Sequence, residues 1–221
     1  MLVSLRNYSN YSICESNIKI DDLVNFASKN NLSAIGLTDY KLLSGSLEFS
    51  IKCQKAGIQP IIGLDIDYVS ILGHSKRVTF LSKSEEGFKN LNILSTEVNT
   101  NNNFLLNENN IKNYANGNIL ILGGLYSYFD DIPINQKNLN KVLNEIKNLK
   151  EIFKNDLFFE HDLNLNNMLL KEVSKKLEIP LFNSFFSFYK STNDFDAMQI
   201  LHCVKNGEYL QNSTFKINNN Y

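Results

Sequence analysis

The amino-acid sequence predicts an α/β fold built on a parallel sheet. Short apolar runs alternate with amphipathic segments along the 221-residue chain, which gives about six or seven strand–helix repeats. Such repeats imply parallel strands joined by right-handed crossovers, either in an open doubly wound sheet or in a barrel. The chain contains neither G-x-G-x-x-G nor G-x-x-x-x-G-K-[ST], so dinucleotide and P-loop nucleotide binding lose their main support. We therefore favour the barrel.

The first predicted elements are a strand, a helix and a second strand. Residues 2–6 are short and partly apolar, as expected of a first strand. Residues 20–30 have helical spacing, with Asp21 or Asp22 available for the first turn. The apolar stripe of this helix is Leu23, Val24, Phe26 and Ala27. Residues 34–38 are apolar and form the second strand.

A second helix and two further strands follow. Residues 46–56 are helical, and Gly57 ends the helix. The buried candidates on this helix are Leu47, Phe49 and Ile51. The continuous apolar run at 59–64 is typical of a parallel strand buried on both faces, and residues 78–81 form the fourth strand.

The middle of the chain contains a helix, a loop and a buried strand. Ser84 and the two glutamates after it open the helix. Residues 99–110 are polar and predict a loop. Residues 118–122 form a strand that Gly123 and Gly124 end.

The last third of the sequence repeats the strand–helix pattern. The predicted elements are a helix at 138–153, a strand at 157–160, a helix at 166–177, a strand at 180–182 and a closing helix at 194–205. Asn206 and Gly207 end the closing helix.

Charge and composition exclude several classes of protein. The net charge is -1 and the sequence pI about 6.3, which gives no general basic character for nucleic-acid binding. The lysines of segment 137–156 are interleaved with acids, which favours a solvated helix face. Cys14, Cys53 and Cys203 are far apart and predict neither disulfides nor a zinc knuckle, so we expect a reduced cytoplasmic setting. Neither a signal peptide nor a membrane span is expected.

Polar side chains follow the predicted strands, and in a barrel the carboxyl ends of the strands share one face. These side chains are Arg6, Tyr8, Asp39, Tyr40, Asp65, Asp67, Glu160, His161 and those of segment 183–188. His161 is either hydrogen-bonded to Glu160 at the rim or partly exposed without a role. Ser9 and Ser12 have no His or Lys positioned by sequence to activate them, so nucleophilic catalysis is unsupported.

Several stretches together resemble a known family. They are LVSLRNYSNYS at 2–12, GLTDYKLLSG at 36–45, EFSIKCQKAGIQPIIGLD at 48–65, KSEEGFKNLNILS at 83–95, NILILGG at 118–124 and NDFDAMQILHCVKNGEYL at 193–210. In order and spacing they resemble the N-terminal PHP (polymerase and histidinol phosphatase) domain of bacterial DNA polymerase III alpha subunits. The resemblance implies a distorted TIM-like parallel (βα)7 barrel over residues 1–210, with 211–221 beginning the linker towards a polymerase palm region.

The resemblance also implies a metal site that has degenerated. Intact family members hold two or three zinc or manganese ions with imidazoles and carboxylates, and are phosphoesterases or proofreading nucleases. The positions where this chain has lost a metal ligand are Arg6, Tyr8, Tyr40, Leu125, Phe186 and Phe188. Glu15 and Asp65 remain as carboxylates, and Asp39 stands beside them as a loop-stabilising non-ligand. We therefore expect no catalytic residue, no metal and no other cofactor, since Mg²⁺ would belong to the palm.

By the same resemblance, the chain acts in DNA replication as a structural domain. It would brace the rest of the alpha subunit, dock the proofreading exonuclease subunit, and meet DNA only through the holoenzyme, with no membrane partner. The chain is expected to be a fragment, split frame or relic of a DNA-directed DNA polymerase, and inactive alone because the palm is missing. An active PHP phosphoesterase and a free-standing interaction module are the two alternatives.

Overall fold

The computed structural model describes residues 4–124, 136–162, 168–184 and 194–212. The helices are α1 (Ile20–Lys29), α2 (Ser46–Lys55), α3 (Glu85–Thr100), α4 (Gln136–Phe153), α5 (Met168–Leu177) and α6 (Phe195–Asn206). The strands are β1 (Ala34–Leu37), β2 (Gln59–Val69), β3 (Ser75–Ser82), β4 (Leu106–Asn107), β5 (Asn118–Gly123), β6 (Leu157–Asp162) and β7 (Leu181–Ser184). This alternation confirms the predicted α/β class. No helix within those ranges is long and apolar enough to cross a bilayer.

The chain divides into two compact units, which are described separately. The first unit consists of residues 1–61 and 187–221, and the second of residues 62–186. The first unit therefore contains α1, β1, α2 and α6, whereas the second contains α3 to α5 and β3 to β7. Strand β2 begins in the first unit and continues into the second.

In the first unit, the N-terminal segment runs beside β1. The predicted strand at 2–6 is reduced, in its described part, to a single parallel bridge between Ser4 and Ile35. Gly36 donates its N–H to the Ser4 carbonyl at 2.8 Å. A Cβ at Gly36 would lie 1.9 Å from the carbonyl oxygen of Leu5, so the close approach of these two backbones requires a glycine.

The two helices at the start of the first unit bury different fractions of their apolar residues. Helix α1 buries Leu23, Val24 and Ala27 as predicted, but Phe26 is exposed. Helix α2 buries Ser46, Phe49 and Cys53, and burial raises the pKa of the Cys53 thiol to about 11. The prediction that Leu47 and Ile51 are buried was wrong, since Leu47 is 73% exposed and Ile51 44% exposed. The helical period places these two residues on the side opposite to Phe49.

The second unit contains a mixed sheet. Its strand order is β2, β3, β5, β6 and β7, with β4 paired to the other edge of β2. Pairing is parallel between β5 and β6 and between β6 and β7, as predicted. Strand β3, however, is antiparallel to both β2 and β5, which corrects the prediction of a wholly parallel sheet. The connection between β2 and β3 is a tight turn in which Ser70 donates to the His74 carbonyl, too short for a parallel crossover.

Segment 99–110 is more ordered than the predicted loop. Helix α3 continues to Thr100, and β4 pairs in parallel with the end of β2, Tyr68 facing Leu106. The start of α3 was predicted correctly: the Ser84 hydroxyl caps it by accepting the Gly87 N–H at 3.1 Å. At the other end of the chain, α6 ends at Gly207, which has a left-handed φ of 66°.

Helix α4 is fixed to the β2–β3 turn by a buried carboxylate. Glu145 is fully buried and accepts the Tyr68 hydroxyl at 2.7 Å and the Ile71 N–H at 3.1 Å. Burial, with the adjacent charge of Glu145, raises the pKa of Tyr68, so the phenol remains a hydrogen-bond donor. The negative charge of Glu145 thus lies inside the second unit, although the sequence places it among surface lysines.

Candidate functional site

The first unit holds the Asp39 carboxylate at the end of β1 with three donors from the N-terminal loop. Asp39 is buried, and its oxygens accept the Ser9 N–H at 2.6 Å, the Ser9 hydroxyl at 2.7 Å and the Ser12 hydroxyl at 2.6 Å. The Ser12 oxygen in turn accepts the Tyr40 N–H at 2.9 Å. Asp39 therefore joins the loop at 9–12 to the end of β1.

Two opposing effects act on the pKa of Asp39. Burial disfavours the charged form and raises the pKa, whereas the hydrogen bonds from Ser12 and Ser9 lower it. Burial is the larger effect, so the pKa of Asp39 is raised overall. The prediction that Asp39 accepts backbone N–H groups holds for one bond, but the donor belongs to the N-terminal loop and not to the turn after β1.

Three positions of the first unit, at which the family resemblance predicts that histidines have been lost, carry a guanidinium and two phenols. Arg6 and Tyr8 are both fully buried. The Ser16 hydroxyl donates to the backbone carbonyl of Tyr8 at 3.0 Å. Tyr40 is half-buried, and the Lys41 ammonium lies 4.7 Å from the centre of its ring. The side chains at these positions therefore offer a permanent cation and phenol oxygens, and no imidazole nitrogen.

Glu15 is joined to the closing helix by an ion pair. Its side chain is 5% exposed, and one carboxylate oxygen lies 2.5 Å from the ammonium of Lys205 on α6. The Lys205 side chain is 41% exposed, so the pair lies at the boundary between the interior and solvent. Sequence analysis identified Glu15 but not Lys205, because no spacing rule connects residues 190 positions apart.

The second unit contains the remaining predicted site residues. Asp65 is buried on β2 and accepts the hydroxyl of Thr79, its direct partner on β3. Glu160 and His161 are consecutive residues of β6, and both are buried. The interpretation of His161 as a partly exposed histidine was wrong, because His161 is only 6% exposed; its backbone pairs with Asn183 of β7.

Three of the predicted positions, Leu125, Phe186 and Phe188, lie outside the described residues. In the parts of the chain that the structure describes, no group of three or more His, Cys, Asp or Glu side chains is placed to hold one metal ion. Ser9, Ser12, Thr79 and Lys205 were not predicted as partners of the acidic residues. The repeated hydroxyls of NYSNYS at 7–12 are the one local signal that could have indicated them.

Comparisons with known proteins agree on one family. A sequence model of the PHP domain matches residues 4–162. The DNA polymerase III alpha subunit of Borreliella burgdorferi is 29% identical over 93% of this chain, and that of Rickettsia conorii is 30% identical over 98%. In both cases the match covers 19% of the relative, so the chain spans about a fifth of the length of these curated relatives.

Solved structures show the same fold at low sequence identity. An amidohydrolase from Chromobacterium violaceum superposes with a TM-score of 0.57 at 8% identity, over 85% of this chain and 87% of that protein. A two-domain protein from Bacteroides vulgatus, described as containing a predicted PHP-like metal-dependent phosphoesterase, gives a TM-score of 0.52 at 12% identity, over 94% of this chain and 55% of that one. The predicted PHP-type fold is thereby confirmed.

Removing the Asp39 acceptor should destabilise the protein more than removing its charge. Asp39→Ala leaves three buried donors without their acceptor, and we expect a loss of about 2–3 kcal/mol in the free energy of unfolding. Asp39→Asn keeps one acceptor oxygen and should lose less than about 1 kcal/mol. Urea denaturation of both variants beside the wild type measures the difference, and equal losses would contradict it.

The same variants test the raised pKa of Asp39. The folded state binds this proton more tightly than the unfolded chain does, so lowering the pH through the raised pKa adds stability to the wild type. The stability of the wild type relative to Asp39→Asn should therefore rise as the pH falls from about 7 to about 4. A relative stability that falls over this interval would show that the carboxylate is favoured in its charged form.

The Glu15–Lys205 pair should show measurable coupling. In a double-mutant cycle with Glu15→Gln and Lys205→Met, we expect a coupling energy of about 1 kcal/mol, discounted for the exposure of Lys205. The exposed pair of Glu85 and Lys89 on α3 is a matched control, for which the same cycle should give about 0.3–0.5 kcal/mol. Coupling at Glu15 no larger than in the control would show that burial adds nothing to this pair.

Proposed function

The chain belongs to the PHP domain family, and we propose that it acts in DNA replication as the N-terminal PHP domain of a DNA polymerase III alpha subunit. The support is the match to alpha subunits over 93% and 98% of the chain. We further propose that its role there is structural and independent of metal. Its partners would be the rest of the alpha subunit and the proofreading exonuclease subunit.

The observation that carries the structural role is the chemistry of the former ligand positions. A metal cluster of the family type needs several imidazoles and carboxylates directed at the same ions. In the first unit, a buried guanidinium at Arg6 would repel a divalent ion, and the ammonium of Lys205 already neutralises Glu15. In the second unit, the Asp65 carboxylate accepts the Thr79 hydroxyl. The described residues therefore do not fit such a cluster, and we derive no catalytic step from it.

The hydrogen bonds of Asp39 and the ion pair of Glu15 connect segments that are distant in the sequence. Asp39 holds the start of the loop at 9–15 against the end of β1, and Glu15 holds the end of that loop against α6. In an intact site, bound ions would make equivalent links between distant segments. Hydrogen bonds and one ion pair make these links in the first unit. A domain held together in this way can brace a larger polymerase without binding metal.

Metal content tests this proposal directly. The purified 221-residue protein, produced with zinc and manganese in the growth medium, should retain less than about a tenth of an equivalent of either metal and should not hydrolyse p-nitrophenyl phosphate. The variant Arg6→His/Tyr8→His/Tyr40→His, which restores imidazoles at three former ligand positions, is the matched comparison. A stoichiometric ion and phosphatase turnover in the wild type would instead establish the active phosphoesterase.

Genomic sequence separates the polymerase domain from a free-standing module. An open reading frame that continues beyond codon 221 and encodes the palm carboxylates would support our proposal. A stop codon directly after codon 221, together with a complete alpha-subunit gene elsewhere in the same genome, would favour an interaction module with a PHP fold.

A further inference from the structure

The outer face of α4, α5 and the short helical turn after α4 is strongly basic. The lysines on this face that reach solvent are Lys141, Lys147, Lys150, Lys154, Lys171, Lys175 and Lys176. The acids that reach solvent on the same elements or directly after α5 are Glu151, Asp156, Glu172 and Glu178. The face thus has a surplus of three positive charges on a chain whose net charge is -1. We propose that this face, here called the lysine face, binds the phosphate backbone of nucleic acid.

Burial of acidic side chains creates the lysine face. In the sequence, Glu145 and Glu160 lie among these lysines and would offset them. In the structure, Glu145 is turned inward to Tyr68 and Ile71, and Glu160 is buried in β6. Asp156 forms an ion pair with Lys83, the residue directly after β3, so its charge is already neutralised. The sequence predicted a solvated helix face with interleaved charges. Two of the acids, Glu145 and Glu160, lie in the interior instead, so the surface keeps a surplus of lysines.

The lysine face has a concave part between the ends of α4 and α5. This open cleft of about 490 Å³ is lined by Lys147, Lys150, Glu151, Lys176, Leu177 and Glu178. Lys150 donates to the backbone carbonyl of Leu177 at 2.5 Å, which joins the two helices and offsets the negative end of the α5 dipole. Lys147 and Lys176 remain on the two walls of the cleft, where an anion can approach both.

The distribution of the lysines favours a repeating anion. Lys171 and Lys175 are about one helical turn apart on α5, and Lys147 and Lys154 are about two turns apart along α4 and the turn after it, on the same side. A row of separated cations suits a polyphosphate chain better than a single phosphate. No aromatic side chain is exposed in the described part of α4 and α5, so base stacking is not expected there. Binding should therefore depend on backbone charge and not on sequence.

This inference rests on the proposed function, which places the chain beside DNA during replication. It also changes one expectation from the sequence, namely that the domain meets DNA only through the holoenzyme. Direct contact through the lysine face would add an electrostatic attachment for a template or product strand.

Fluorescence anisotropy with a labelled DNA of about 20 nucleotides tests the proposal on the 221-residue protein. We expect binding in the micromolar range at about 50 mM salt, and a slope of log affinity against log salt of about -2 to -3, which corresponds to about three phosphate contacts. Lys147→Glu/Lys176→Glu should weaken binding about tenfold or more. Lys150 is left unchanged because it also links α4 to α5.

The control is Lys29→Glu/Lys55→Glu, which makes the same change in net charge on two exposed lysines at the ends of α1 and α2. This control should change the affinity by less than about threefold. Equal weakening by the two double variants would overturn the proposal, because binding would then depend on net charge alone. Lack of any signal at about 100 µM protein would overturn it as well.

Anionic vesicles separate nucleic acid from a lipid surface. Suppose that the wild type binds vesicles of about 30% phosphatidylserine but not DNA, and that the vesicle binding is lost in Lys147→Glu/Lys176→Glu. That result would overturn the nucleic-acid assignment. If the protein does not bind DNA but its gene continues into a polymerase, this inference fails and the proposed function stands. If the lysine face binds DNA but the gene does not continue into a polymerase, this inference stands and the proposed function fails.

Discussion

A carboxylate that is removed from water must find hydrogen-bond donors or a cation inside the protein, and the first unit is organised around that requirement. Asp39 at the end of β1 takes its donors from Ser9 and Ser12, and Glu15 takes a cation from Lys205. Both carboxylates bind groups that are distant in sequence. The loop at 9–15 is consequently fixed to β1 at one end and to α6 at the other.

Periodicity in the sequence predicted the elements well wherever one side of an element faces the core. Helices α3 and α4 and strands β5 and β6 lie close to the predicted positions, because their apolar spacing reports the buried side. The method failed at α2, where Leu47 and Ile51 are apolar but face outward and the small residues Ser46 and Cys53 face inward. It also missed the antiparallel course of β3, since strand direction depends on connection length and not on composition.

The candidate site could be predicted only in part, for a related physical reason. The carboxylates at strand ends were identified from local patterns, which a sequence displays directly, and the lost ligand positions were predicted from the family resemblance. Their partners were not, because Ser9 and Lys205 meet Asp39 and Glu15 through tertiary contacts that leave no periodic signal. The same limit applies to charge. A charge count along the chain treats Glu145 as offsetting the neighbouring lysines. In the fold, Glu145 accepts a hydrogen bond from Tyr68 and does not reach the surface.

The division of the chain has a consequence for the order in which the protein folds. The second unit is one continuous stretch, residues 62–186, and all of it leaves the ribosome before α6 does. The first unit is assembled from two separate segments, residues 1–61 and 187–221, so its Glu15 carboxylate has no access to Lys205 until α6 has been synthesised. During translation the N-terminal segment therefore waits for one of its partners until α6 emerges, and over that interval its incomplete surface is open to non-native contacts.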